Sequence, residues 1–286
     1  MIEFWPFILS GLLMLTMPMM LGWFIHRQRQ ARWGLFFIGM AGFVLSQIFH
    51  IPFNWLITNR LALLPTDTTD VINLLIVSLF YGLSAGVFEE VTRYLIYRFW
   101  AKDARTWGRG LMYGSGWGGV ESMILGVVVL INAIVLAAMS QGLWRELVPV
   151  EQQTLLDQQI QAMVTLPWYE GMLGSLERAF ALCLHLALSL MVMQVFTRGK
   201  LWWLWLAIGW HALVDATAVF VQIYWENPYL TEGVVAIFAL ISLGIIFWLR
   251  EPEPVEPELE PLPPPAPLQP VAIKATAESL DRSKFT

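Results

Sequence analysis

The chain has 286 residues, of which 57% are hydrophobic and 14% are charged, and its formal net charge is −5. Because soluble domains carry about 25% charged residues, this composition excludes an ordinary soluble protein and predicts an integral membrane protein that is surrounded by the lipid bilayer. The acidic balance indicates no nucleic-acid partner, and a single cysteine, Cys183, excludes both an intrachain disulfide and zinc sites built from several cysteines.

About seven apolar segments are long enough to cross a bilayer, which takes about 20 residues of helix. They cover approximately residues 3–25, 34–57, 71–98, 110–140, 171–197, 201–224 and 231–249. The sequence therefore predicts an all-α fold, namely a polytopic membrane helical bundle with about seven transmembrane helices.

The loops between these segments alternate in charge. The first, third and fifth loops are basic, whereas the second, fourth and sixth contain an excess of acids. The residues that make the first set basic are Arg27, Arg29, Arg32, Arg98, Lys102, Arg105, Arg109, Arg198 and Lys200. Because basic loops stay in the cytoplasm, we expect an outside N-terminus and a cytoplasmic C-terminus in a bacterial-type plasma membrane.

Two segments lie outside the predicted spans. Residues 143–168 have apolar residues at near-helical spacing, which predicts an amphipathic helix on the outer membrane surface, either as a structural cover or as a substrate lid. Residues 251–286 begin with a run rich in proline and glutamate, and this composition predicts a disordered cytoplasmic tail. We therefore divide the chain into a membrane domain, 1–250, and the tail.

Ionisable side chains recur inside four predicted spans, although a charge at the bilayer centre costs about 2.5 to 3.5 kcal/mol. Counted from the cytoplasmic ends at about 1.5 Å per residue, each span has such a group at a depth of about 12 to 18 Å. We therefore expect one polar site shared by four helices. Its candidates are Glu89, Glu90 and Arg93 in the third span, Glu121 in the fourth, Glu177, Arg178 and His185 in the fifth, and His211 and Asp215 in the sixth.

Helical spacing indicates which of these groups share a face. Arg93 falls between Glu89 and Glu90 on the helix surface and is in reach of either one. His211 and Asp215 are four residues apart and lie one above the other.

On the fourth span, Glu121 shares one side with two glycines and with Asn132, a possible supporting residue. Glycine there allows a neighbouring helix to approach or leaves room for water. By contrast, His50 lies near the end of its span and is interpreted as interfacial.

Such a pocket has two chemical interpretations, and both lead to hydrolysis of a peptide bond. In the first, a buried glutamate activates water as a general base, and His185 and His211 orient the water or stabilise an oxyanion. In the second, the histidines bind Zn²⁺ with Glu121 or Asp215 as a third ligand and an open fourth position. The residue types alone leave both open, so the cofactor is unknown, with Zn²⁺ as the candidate metal.

The motifs "EEVTR", "GWGGVES", "ERAFALCLH" and "HALVD" follow one another over about residues 81–216. They resemble the motifs of the YhfC-type intramembrane proteases, a group similar to the wider CAAX-protease and bacteriocin-processing family. The resemblance implies a membrane endopeptidase with a membrane-associated peptide or protein as its substrate. It also implies that Glu89 or Glu90 is the base, that Arg93 fixes the other glutamate, and that His185 and His211 position water and transition state, with Asp215 beside the last histidine.

The chain departs from the wider family's pattern at two points. Two residues instead of three separate Glu90 from Arg93, and four instead of three separate Phe180 from His185. The choice of base between the two glutamates therefore stays open. Glu121 and Glu177 have no counterpart in the wider motifs.

Two other functions fit the same residues. Carboxylates and histidines inside a membrane also form proton relays, so a proton-coupled transporter is one alternative, although no internal repeat is visible in the spans. The second is a non-catalytic scaffold or immunity-type protein, in which the tail recruits a soluble partner and Glu177 with Arg178 merely anchors a helix. The oligomeric state is left undetermined.

Overall fold

The computed structural model describes residues 4–252, and within this range the chain forms helices and no strands. The eight α-helices in this range are α1 (Trp5–Arg29), α2 (Trp33–Trp55), α3 (Val71–Phe99), α4 (Trp107–Ser140), α5 (Val150–Thr165), α6 (Leu173–Thr197), α7 (Trp202–Trp225) and α8 (Pro228–Trp248). Seven of them, all except α5, are long and apolar enough to cross a membrane. The all-α prediction and the number of spans are therefore confirmed. Nearly all of the predicted tail, residues 253–286, lies outside the described residues.

Side-chain caps determine where several helices begin. The carboxylate of Asp70 accepts hydrogen bonds from the backbone N–H groups of Ile72 and Asn73, both at 2.9 Å, at the start of α3. At the start of α8, Asn227 caps in the same way and is followed by Pro228. Such caps satisfy N–H groups that have no partner inside the helix, and proline is favoured at the first position.

We name the two ends of the bundle by the charge of their loops. The basic end carries loops 30–32, 100–106 and 198–201, and the acidic end carries loops 61–70, 141–172 and 226–227. The amphipathic segment predicted over 143–168 contains α5 (Val150–Thr165), at the acidic end. Leu156 is the one buried residue of α5. The location of α5 on a membrane surface, and the side of the membrane that each end faces, stay predictions.

Glycines allow the four central helices to approach closely. A Cβ atom on Gly118 of α4 would lie 2.8 Å from Cδ2 of His185, so α6 packs directly against this position. A Cβ atom on Gly86 of α3 would lie 2.8 Å from the backbone oxygen of Ile208 on α7. These contacts bring the helices that carry the predicted ionisable groups within reach of one another.

An aromatic core lies directly beneath those groups, toward the basic end. The rings of Tyr97 and Tyr113 are 4.6 Å apart, and the ring of Tyr113 is 6.0 Å from that of Trp117. All three side chains are fully buried, and the guanidinium of Arg93 stacks 4.4 Å above the ring of Trp117. The core thus supports the charged groups from below.

Candidate functional site

Glu90 and Arg93 form a fully buried ion pair on α3. Nη1 of Arg93 donates to Oε2 of Glu90 at 2.9 Å, and Nδ1 of His211 lies 2.8 Å from Oε1 of Glu90. Because a carboxylate only accepts hydrogen bonds, Nδ1 of His211 is the donor in that contact. Both oxygens of Glu90 are therefore engaged, one by a cation and one by an imidazole.

Glu89 has different partners, although it is the adjacent residue. Its Oε1 accepts from Nε2 of Gln47 at 3.1 Å, and its Oε2 accepts from Nε1 of Trp117 at 3.0 Å. The residue is 6% exposed, and no ion pair joins it to any residue between 4 and 252. Its electrostatic neighbours are His211, His185 and Glu121. Glu89 is thus a buried carboxylate that neutral donors hold in place.

His185 has a partner at each ring nitrogen. Nδ1 lies 3.3 Å from Nη2 of Arg93, and Nε2 lies 2.8 Å from Oε2 of Glu121. A guanidinium has no acceptor, so Nδ1 accepts and Nε2 carries the proton that is donated to Glu121. The contacts therefore select one neutral tautomer of His185.

Glu121 connects His185 to a second arginine. Nη1 of Arg178 donates to Oε1 of Glu121 at 2.8 Å, and Nη2 of Arg178 donates to Glu177. The side chain of Arg178 is 10% exposed, that of Glu121 is 27% exposed and that of Glu177 is 44% exposed. Arg178 is thus largely buried between two more exposed carboxylates, and Glu177 is the most exposed of these groups.

His211 ends the chain of contacts at Asp215. Nε2 of His211 lies 3.4 Å from Oδ2 of Asp215, and the centroids of the two imidazoles, His185 and His211, are 5.8 Å apart in an edge-to-face arrangement. The predicted residues of four helices are therefore connected. In order of contact they are Glu177, Arg178, Glu121, His185, Arg93, Glu90, His211 and Asp215.

Asn132 does not take part in this network. It is exposed, and no hydrogen bond joins it to the network within the described part of the chain. It shares one side of α4 with Glu121, as expected, but it lies about 16 Å farther along the helix at 1.5 Å per residue. Two residues on the same face of a helix thus contact the same groups only if they also lie at the same depth.

Two neutral donors to Glu89 were missing from the sequence prediction. Gln47 and Trp117 contain no titratable group, and nothing in a single apolar span indicates that α2 and α4 turn these N–H groups toward α3. Trp117 stands inside the motif "GWGGVES". Its place in this motif, one helical turn before Glu121, is the feature of the sequence that could have indicated a role for Trp117.

His50 makes polar contacts beside this network, which its interpretation as an interfacial residue did not include. Its Nδ1 lies 3.2 Å from Oε1 of Gln47, its Nε2 lies 3.1 Å from Oγ of Ser84, and Nδ2 of Asn54 lies 2.9 Å from the same Nε2. Gln47, His50 and Asn54 recur at helical spacing and form a polar stripe on α2 that leads to Glu89. The spacing of 47, 50 and 54 was a readable signal.

The arrangement of the candidate metal ligands does not fit a zinc centre. Among residues 4–252, no group of three or more His, Cys, Asp or Glu side chains is placed to hold a metal ion. His185 is paired with Glu121, and His211 with Asp215, and the remaining nitrogen of His185 faces the guanidinium of Arg93. A zinc site needs three or four donors directed at one point, so we derive no step through a metal.

Comparison with known proteins identifies related sequences. A family model described as "YhfC intramembrane metalloprotease" matches residues 13–239, a range that includes every residue of the network. A relative from Bacillus subtilis (strain 168), "Uncharacterized membrane protein YhfC", is 37% identical over 174 residues, which are 59% of this chain. The chain spans 66% of the length of that relative. No solved structure matches.

Proposed function

Because the chain belongs to the YhfC intramembrane metalloprotease family, we propose that it is an intramembrane endopeptidase. It would hydrolyse a peptide bond of a membrane-associated or membrane-proximal peptide or protein. One observation supports this proposal more than any other: Glu89 is buried, has only neutral hydrogen-bond donors, and adjoins Glu90, whose carboxylate contacts the imidazole of His211.

In this proposal Glu89 is the general base. Both oxygens of Glu90 are engaged by Arg93 and His211, whereas the donors to Glu89 are weaker neutral N–H groups. Glu89 takes a proton from a water molecule, and the water oxygen forms a bond to the carbonyl carbon of the peptide. The same proton passes to the leaving nitrogen as the C–N bond breaks, which yields a carboxylic acid and an amine.

His211 is the proposed electrophilic group. It contacts a carboxylate at each ring nitrogen, Glu90 at Nδ1 and Asp215 at Nε2. When both nitrogens are protonated, Nδ1–H stays on Glu90 at 2.8 Å. Nε2–H, whose contact with Asp215 is longer at 3.4 Å, donates instead to the oxygen that becomes negative in the transition state, in a site that is largely shielded from solvent. His185, whose ring nitrogens are engaged by Arg93 and Glu121, packs edge-to-face against His211 and positions it from α6.

The test compares wild type with Glu89→Gln, a substitution that keeps the shape of the side chain and removes its basicity. We expect new N-termini in membrane proteins of cells that express wild type, and a loss of about 10²-fold or more in their abundance with the variant. Mass spectrometry of protein N-termini measures this, and equal cleavage by Glu89→Gln would overturn the proposal. Ile48→Gln, on the exposed side of α2, is the control for an added amide.

The family description names a metal, and metal content is measured separately. Since the described donors do not converge, we expect purified protein in detergent to contain far less than one zinc per chain. Elemental analysis of wild type and of the His185→Ala/His211→Ala double variant decides this. About one metal per chain, lost in the double variant, would contradict the expectation and assign both histidines to a metal centre.

A proton-coupled transporter is the second candidate, and the continuous network of ionisable groups from Glu177 to Asp215 favours it. Proton flux into sealed liposomes separates the two functions. Flux that requires Glu89 or His211, together with no cleavage, would favour transport.

A further inference from the structure

A small cavity lies between α6, α7 and α8, beside the charged network. Its volume is about 70 Å³, and three charged residues, Glu177, Arg178 and Asp215, contribute to its walls among apolar side chains. Charged walls are unusual in an apolar bundle, because each charge loses its solvation there. The cavity therefore requires an explanation other than imperfect packing.

Two polar atoms, one on a residue of the cavity wall and one on a residue a helical turn away, have no hydrogen-bond partner among the described residues. Nε of Arg178 is one of them, and Arg178 as a whole is 9% exposed. The second is Oε2 of Glu232 on α8. Glu232 precedes the cavity residue Val235 by three positions, so it lies one turn nearer the acidic end on the same face of α8.

Bound water explains both the charged walls of the cavity and the unpaired polar atoms of Arg178 and Glu232. A water molecule occupies about 30 Å³ in the liquid, so the cavity holds about two, and buried waters make about three hydrogen bonds each to otherwise unpaired groups. Nε of Arg178 is a donor, and the carboxylates of Glu177, Asp215 and Glu232 are acceptors. An apolar ligand would leave these groups unpaired.

The cavity also connects to both histidines of the network. Asp215 lies 3.4 Å from Nε2 of His211, and Arg178 contacts Glu121, which accepts from His185. Hydrolysis consumes one water molecule for every bond cut, and lipid-facing helix surfaces do not supply it. A polar route through the bundle is therefore needed.

We propose that this cavity is a water site that supplies the network from the acidic end of the bundle, with Glu232 at its entrance. The inference rests on the proposed hydrolase for its purpose, but the presence of water is tested independently of turnover. The ligand is water itself.

The probe is hydroxyl radical generated from water by pulsed X-ray radiolysis of the protein in lipid nanodiscs. Leu184 lines the cavity and is 6% exposed, whereas Leu240 on α8 is 67% exposed on the lipid-facing surface and follows the cavity residue Ala239 directly. We expect the buried Leu184 to be oxidised faster than the exposed Leu240. Oxidation of Leu184 at or below the rate of Leu240 would overturn the proposal.

Filling the cavity provides the matched comparison. Ala218→Leu adds three carbon atoms to its wall, and we expect the excess oxidation of Leu184 to be lost. Ala181→Leu, on the opposite wall, serves the same purpose if Ala218→Leu does not fold. Gly233→Leu is the control, since a Cβ atom there meets nothing within 4 Å, and the excess should persist. Unchanged oxidation in both folded cavity variants would also overturn the proposal.

The kinetic consequence separates this inference from the proposed function. We expect Ala218→Leu to lower kcat about tenfold with KM unchanged, because it removes water and no substrate contact. Excess oxidation of Leu184 in a protein without peptidase activity would support the water site while overturning the proposed function. Peptidase activity without excess oxidation of Leu184 would support the proposed function and overturn the water site.

Discussion

Two adjacent glutamates show how strongly side-chain direction determines chemistry. Glu89 and Glu90 differ by one position, which is about 100° around the helix. That rotation directs Glu90 to Arg93 and His211, and directs Glu89 to the neutral donors Gln47 and Trp117. One carboxylate is thus neutralised within the protein, while the other keeps the capacity to accept a proton.

The two glutamates should therefore respond differently to the same substitution. Glu90→Gln leaves the buried guanidinium of Arg93 without its counter-ion, and we expect a loss of about 3 to 5 kcal/mol in stability. Glu89→Gln breaks no ion pair and should unfold near the wild-type temperature while losing activity. Thermal unfolding in detergent measures both, and equal stability of the two variants would contradict the assignment.

Trp117 combines two contacts that a single substitution separates. Trp117→Phe keeps an aromatic ring beneath Arg93 but removes the N–H group that donates to Glu89 at 3.0 Å. We expect cleavage to fall about tenfold or more, since the base loses one of its two positioning donors. Trp210→Phe removes a comparable N–H donor, which bonds Ser242 at 3.2 Å away from Glu89. That control should keep its activity, and equal losses in both variants would contradict the role of Trp117.

At the scale of helices, the network exists because glycine allows α4 to lie against α6. Gly118 faces His185 directly, and Glu121 stands three residues farther along α4, where it accepts from Nε2 of His185 at 2.8 Å. The separation of the two helix axes therefore decides whether the carboxylate reaches the imidazole.

Gly118→Ala should disturb this geometry from within the helix. Its Cβ atom would lie 2.8 Å from Cδ2 and 2.9 Å from Cβ of His185, so α4 and α6 must separate. We expect a destabilisation of about 1 to 3 kcal/mol together with loss of activity. Gly244→Ala on α8 meets nothing within 4 Å and should be neutral or slightly stabilising. Activity assays and thermal unfolding of both variants check this, and full activity of Gly118→Ala would contradict it.

At the scale of the whole molecule, four helices contribute charged groups to a network in the interior of the bundle. α3, α4, α6 and α7 bring charged residues, and α2 adds a polar stripe, while the aromatic core supports them from the basic end. The network becomes more exposed toward Glu177 and Asp215. Access for water and substrate is therefore expected at the acidic end.

The orientation of the bundle decides the compartment from which the site is reached. Because the loops of the basic end carry most of the arginines and lysines, we expect that end in the cytoplasm. A green fluorescent protein fused to the C-terminus should then fluoresce, and alkaline phosphatase fused at the same point should be inactive. An active phosphatase fusion would reverse the orientation and place the acidic end in the cytoplasm.

Much of the fold was readable from the sequence because membrane spans are a local property. Apolar length and the scarcity of charge define a span without reference to the other spans, and the number of seven was confirmed. Ionisable residues in those spans were equally conspicuous, since each costs free energy that only contacts or function offset. Eight of the ten predicted site residues join one network, while Glu89 is held beside it by Gln47 and Trp117.

What the sequence by itself determined, then, is the number of helices, the residues available for chemistry and their approximate depth. The tertiary structure decided which of them touch: it separated Glu89 from Glu90, left Asn132 outside, and added Gln47, Trp117 and His50. The physical reason is that hydrophobic length constrains each helix along the membrane normal. Rotation about the helix axis and the distance between axes are determined by packing, through contacts such as that between Gly118 and His185.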